Sequence, residues 1–154
     1  DVWRNLRDAF PHPYTLQDAE RFISTVTAAE VETVFAIELA HQAAGCVGLT
    51  PGTDVERGSS EVGYWLGKAF WGRGIMSQVV TVFSAWLFTH HDLDRLFATP
   101  FAWNLASARV LEKAGYVLEG RLRASARKDG VLVDKLLYAR LSPDVAEKER
   151  VTAS

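Results

Sequence analysis

Cysteine is nearly absent from this chain: Cys46 is the only one among 154 residues. A single thiol excludes an internal disulfide framework and a cysteine-based zinc site, and it fits a reducing cytoplasm. Long apolar runs are missing too, with no stretch of about 18 such residues that would span a membrane. Asp1-Val2-Trp3-Arg4 lacks the character of a signal peptide, and a start without Met implies residues upstream. Charge of one sign is also scarce. With 17 Lys and Arg against 19 Asp and Glu, the net charge of −2 supplies no general attraction to nucleic acid or an anionic membrane. Any anion site must therefore be local.

What is present is an ordinary globular composition, 48% apolar and 23% charged, on a chain long enough for one cored domain. Residues 1–141 read as that domain and the polar residues 142–154 as a fraying tail. No internal repeat or low-complexity tract occurs.

The chain is organised around Glu61 to Gln78. A short aromatic strand runs into Trp71-Gly72-Arg73-Gly74, and an apolar-faced helix starts at Ile75. Two glycines let the backbone turn tightly, and the unpaired N–H groups of a helix's first turn face whatever sits in that turn. The natural guest is a phosphate or pyrophosphate; the alternative is a strand-to-helix turn with no ligand. A nucleoside-triphosphate loop is excluded because Ile75 and Met76 stand where Lys and Ser or Thr are needed. A dinucleotide fingerprint fits poorly, since Ser77 replaces the third glycine and a hairpin precedes the turn.

Around this centre, Asp1 to Tyr14 reads as an irregular loop with anchoring aromatics. Thr15 caps a helix over 16–29 that has Asp18 in its first turn and Ala19, Phe22, Ile23 and Val26 on a packing face. Thr33–Leu39 and Cys46–Thr50 form a hairpin across His41 to Gly45, and a third strand covers Ser60–Leu66. The helix from Ile75 buries Ile75, Val79, Val82, Phe83, Trp86 and Leu87 and ends near His90-His91. These histidines point about 100° apart and read as solvated residues at the dipole's negative end, so no metal is expected. Arg95–Thr99 is a fourth strand. Asn104 caps a helix over Leu105–Ala114 that Gly115 stops, and Asp129-Gly130 turns a last hairpin.

Two segments together carry a resemblance. Trp71-Gly72-Arg73-Gly74-Ile75 is followed by Asn104-x-x-Ser107-x-x-x-Leu111-Glu112-Lys113-x-Gly115-Tyr116 and Leu118-Glu119-Gly120. This resembles the GNAT superfamily of acetyl-coenzyme A N-acetyltransferases, and most of all its ribosomal-protein N-terminal acetyltransferase (RimJ/RimL-type) group; Glu61 to Leu66 and Asp134 to Leu141 match as well. The resemblance implies an α/β fold with a mixed, mostly antiparallel sheet flanked by helices, and a strand and helix ahead of the segment matching Asp1 to Tyr14.

It also implies acetyl-coenzyme A as cosubstrate and a primary amine as acceptor, either a protein N-terminus or a small amine. The pyrophosphate would lie on backbone N–H groups of Trp71, Gly72, Arg73, Gly74, Ile75 and Met76, with Arg73 adding a side-chain contact. The pantetheine arm would lie where the strand ending Trp65-Leu66 parts from the next, held also by Asn104. Ser107 matches the serine that protonates the leaving thiolate; its other reading is a residue that caps or packs in the helix's first turn. Leu111 stands where many members carry a tyrosine, and Ala126 where the nearest group places a glutamate. Glu61 is then the candidate base if burial raises its pKa, the alternative being a carboxylate in a salt bridge. Asp134, His12, Glu38 and Glu119 rank behind it. Leu111 and Ala126 also motivate a second reading, a catalytically silent acyl-coenzyme A-binding module. Glu30, Glu32, Asp54 and Glu56 are candidates for an acidic cleft lining, and Trp3, Phe10, Trp86 and Trp103 for either the core or a homodimer surface.

Overall fold

The computed structural model describes residues 1–29 and 32–152, and the β-rich runs assemble there into one sheet. β1 (Val34–Leu39) and β2 (Gln42–Pro51) form an antiparallel hairpin, and β3 (Ser59–Leu66) adds antiparallel to β2. β4 (Arg95–Ala98) lies parallel to β3 across the crossover helix α2 (Ile75–His90). β5 (Val117–Lys128) and β6 (Val131–Leu141) make a second hairpin, with β6 against β4, so the order is β1-β2-β3-β4-β6-β5. This is the expected mixed, mostly antiparallel sheet.

The last hairpin turns at Asp129 (φ 50°) and Gly130 (φ 79°), where its sequence signal lies. The first one turns earlier than expected, at Ala40 and His41 with φ of 49° and 63°. Gly45 belongs to β2 instead. A Cβ there would sit 2.2 Å from the Trp65 carbonyl oxygen, so its glycine serves close strand approach and not the turn.

Period-two alternation divides β3 between two faces. Val62 and Leu66 join Ile37, Val47 and Leu49 in a core with Met76, Val80, Phe83 and Leu87 of α2 and Ala108 and Leu111 of α3 (Leu105–Lys113). The buried stripe of α2 is displaced from the expected one: Val82 is 68% exposed, while Met76 and Val80 are buried. The helix is apolar on most of its surface, so sequence periodicity gives its facing residues poorly.

Two terminal elements depart from expectation. α1 (Leu16–Thr27) starts at the predicted Thr15 cap, which Asp18 completes into a capping box: the Thr15 hydroxyl accepts from the Asp18 N–H at 3.2 Å and the Asp18 carboxylate accepts from the Thr15 N–H at 3.0 Å. Its apolar face is nonetheless uncovered, with Phe22 at 40% and Ile23 at 57% exposure. Residues 143–152 are not a fraying coil but α4 (Pro143–Thr152). Pro143 brings a helix-compatible φ at a position that needs no N–H, and the Ser142 hydroxyl accepts from the Val145 N–H at 3.4 Å. Ala153, Ser154 and Glu30 lie outside the described residues.

The four aromatics offered to an interface are all engaged within the chain. Trp3 stacks on His12, Phe10 on Tyr14, Trp86 on Phe83, and Trp103 on Phe101. None of them calls for a second copy.

Candidate active site

β3 ends at Leu66, and the chain then makes a 3-10 turn over Lys68–Phe70 before the glycines. Two bonds fix this passage: Gly67 N–H to the Ala44 carbonyl at 2.8 Å, and Trp71 Nε1–H to the Leu66 carbonyl at 2.7 Å. Gly72 and Gly74 both have positive φ, 76° and 73°, and Gly74 is the N-cap of α2. No side chain caps that helix and no acidic residue stands in its first turn. The N–H groups of Ile75, Met76 and Ser77 therefore lack intrahelical partners, with the positive end of the helix dipole behind them and open space around Gly72 and Gly74. Met76 turns its side chain into the core, so its bulk leaves the turn clear. Arg73 holds its guanidinium over the Phe70 ring at 6.0 Å.

Beside the turn, the sheet opens. β3 pairs with β4 only through Ser59↔Arg95, Ser60↔Leu96 and Glu61↔Phe97. β4 then stops at Ala98, and the chain beyond it stays with β6, where the Leu136 N–H donates to the Pro100 carbonyl at 2.9 Å and Phe101 bridges Lys135. Val62 to Leu66 continue alone on that side for about 16 Å at ordinary strand rise. The parting expected from the resemblance thus falls between Glu61 and the glycine turn. Trp65 and Leu66 edge this gap; the Leu66 carbonyl is already used by the Trp71 indole, which leaves the other backbone groups for a ligand.

On the helical face of the gap, the Asn104 side-chain oxygen accepts from the Ser107 N–H at 3.2 Å and caps α3. Its amide nitrogen is the part left for a ligand. The Ser107 hydroxyl lies 2.8 Å from the Tyr64 phenol oxygen. Burial pushes the Tyr64 phenol well above its ordinary pKa, with the Ser107 bond pulling weakly the other way. Leu111, one turn on, is fully buried in the core, so that position has no access to the gap.

Glu61 lies on the opposite face of β3, and its environment corrects the raised pKa expected for a base. Burial pushes the carboxyl up, but hydrogen bonds from Arg7 and Thr99, with the charges of Arg7 and Lys135, outweigh it and hold Glu61 below the usual carboxylate range. Arg7 Nη2 donates to Glu61 Oε2 at 2.5 Å, and Thr99 Oγ1 donates to Oε1 at 2.8 Å. Glu61 is thus an ionised, paired carboxylate. The lower-ranked groups are engaged as well: Asp134 with Arg121 and the Ala124 N–H, Glu119 with Arg95, Glu38 with His41, and His12 against Trp3. Asp54 and Glu56 sit in the loop before β3, at its far end from the glycine turn.

Sequence reasoning missed Tyr64, Arg7 and Thr99. Alternation places Tyr64 on the face opposite Glu61, which is the one available signal. Nothing local points from Arg7 to a residue 54 positions away.

An open mixed sheet thus stands beside a glycine turn that starts a crossover helix, and comparison with known proteins assigns this architecture to a family. The chain belongs to the GNAT acetyltransferase domain family, whose model matches residues 1–117. A Bacillus subtilis protein named "Probable N-acetyltransferase YjcK" is 41% identical over 83 residues, 54% of this chain and 46% of that protein. The chain spans about half the length of the curated relatives it matches. Among solved structures, RimL, described as a ribosomal L7/L12 alpha-N-protein acetyltransferase in complex with coenzyme A, superposes with a TM-score of 0.77 at 22% identity, covering 90% of this chain and 78% of that one. The ribosomal-protein-S5-alanine acetyltransferase from Vibrio fischeri gives 0.68 at 27% identity, covering 84% and 69%.

Proposed function

We propose that the chain is an acetyl-coenzyme A-dependent N-acetyltransferase acting on a primary amine by direct attack on the thioester. The observation that carries this reading is the junction of an open β3–β4 gap with an uncapped, glycine-turned helix start. A pyrophosphate has donors and dipole at Trp71 to Met76. An extended, amide-bearing pantetheine has the strand edge at Trp65 and Leu66 and the Asn104 amide.

In the reaction the neutral amine attacks the carbonyl carbon, a C–N bond forms, and the C–S bond breaks with its electron pair going to sulfur. Ser107 donates to that sulfur from the helical face. Glu61, ionised and already bonded by Arg7 and Thr99 on the other face, takes no proton, and the proton shed by nitrogen leaves through solvent. The acceptor we favour is the N-terminal amine of a protein, in keeping with a RimJ/RimL-type relative; the named activities of the RimL and Vibrio fischeri neighbours support that class.

Thiol release from acetyl-coenzyme A tests this against a panel of peptide N-termini, polyamines, aminoglycosides and amino acids. Turnover is expected on peptide N-termini, with Ser107→Ala slowed about a hundredfold. Turnover only on small amines would overturn the acceptor class, and coenzyme A binding without any turnover would favour a silent binding module.

A further inference from the structure

We infer that Tyr64 is a positioning residue for Ser107: its phenol donates to the serine oxygen and so directs the serine's own hydrogen to the departing sulfur. The inference rests on the acetyl-transfer reading above and deepens it.

The two hydroxyl oxygens are 2.8 Å apart and either can donate; the Tyr64 phenol can also donate to the Ser107 carbonyl oxygen, at the longer distance of 3.3 Å, and its one hydrogen is here assigned to the nearer serine oxygen. Tyr64 comes from β3 and Ser107 from the first turn of α3, so this bond spans the sheet and the helix that border the gap. The Asn104 cap fixes the serine backbone from the other side. A serine hydroxyl has one hydrogen and is a rotor that readily turns back to its own helix carbonyls. With Tyr64 donating to one lone pair, that hydrogen is confined to directions away from the phenol.

Tyr64 keeps its proton throughout. Burial raises its pKa, so across the neutral range it remains a donor and not an acid. When the C–S bond breaks and its pair settles on sulfur, Ser107 passes its hydrogen there. Negative charge then grows on the serine oxygen, where the phenol donor stabilises it. The proton shed by the attacking nitrogen, carried by solvent, restores the serine. The sum is amide plus thiol.

Tyr64→Phe keeps the ring and removes only the phenol oxygen. In the full chain, kcat should fall about tenfold, with the KM for acetyl-coenzyme A held and the chain still folded at the assay temperature. Two further readouts separate positioning from packing. The Tyr64→Phe/Ser107→Ala double variant should be no slower than Ser107→Ala alone. An acetyl thioester of a more acidic aryl thiol, which leaves without help, should narrow the Tyr64→Phe deficit. A wild-type rate in Tyr64→Phe, an equal deficit in the Ser107→Ala background, or a deficit indifferent to the leaving group would overturn the inference. An unmutated chain that releases no thiol on any acceptor overturns the acetyl-transfer reading itself, and this inference with it.

Discussion

Single residues set the protonation states in the candidate site, and Glu61 is the clearest case. Its carboxylate stays charged because Arg7, Thr99 and Lys135 surround it, so it does not titrate in the neutral range. The acid limb of kcat/KM should therefore report the acceptor amine. Acceptors of different amine pKa should move that limb, while Glu61→Gln should leave it in place. A limb that ignores the acceptor and vanishes in Glu61→Gln would make Glu61 the titrating base. The Gly74 turn and the Asn104 cap were legible in the sequence because glycine turns and helix caps are local chemistry, carried by residues within a few positions of one another; a role for Ser107 came only from the family resemblance. The Tyr64–Ser107 and Arg7–Glu61 pairs were not, since they join residues 43 and 54 positions apart that only the folded sheet brings together.

Elements show the same division between local and tertiary causes. The Thr15 cap of α1 and the Asp129-Gly130 hairpin turn are written in neighbouring residues and occur where expected. The buried stripe of α2 and the uncovered face of α1 depend on what lies opposite, which periodicity cannot give. α4 is polar on most of its surface and carries no stripe at all. The α2 start can be tested through its cap. Gly74→Ala places a side chain at φ 73° with no atom in its way, so the cost is the left-handed backbone alone, about 1 kcal/mol. It should melt modestly earlier and bind coenzyme A more weakly, because the turn that aims the N–H groups is strained. Thr15→Ala removes the α1 cap at a similar cost, about 1 kcal/mol, and should leave coenzyme A affinity unchanged. Equal effects of both variants on affinity would remove the case for a ligand at the glycine turn.

Across the whole molecule, the titrating groups define a stability window. Asp8, Asp18, Glu61, Glu119 and Asp134 are all held below their ordinary pKa, mainly by hydrogen-bonded or charged partners that outweigh burial. A lowered carboxylate stabilises the fold above the unfolded pKa near about 4, and that contribution is lost as pH falls through the lower folded value. Tyr64, Tyr116 and Tyr138 are raised instead, chiefly by burial. Their contribution is complete below the unfolded phenol pKa of about 10 and is lost as pH rises beyond it. Melting temperature should thus be flat across the neutral range and fall outside both limits; a maximum confined to acidic pH would contradict these assignments. The sheet order and the β3–β4 opening join this frame to the proposed function, since they put the gap and the glycine turn at the same end of β3. The most direct test of that account is a titration of the folded chain with acetyl-coenzyme A, with NAD as the competing dinucleotide. Saturable binding of acetyl-coenzyme A and none of NAD is the predicted result. A folded chain that binds NAD in preference, or neither ligand, would contradict the central claim.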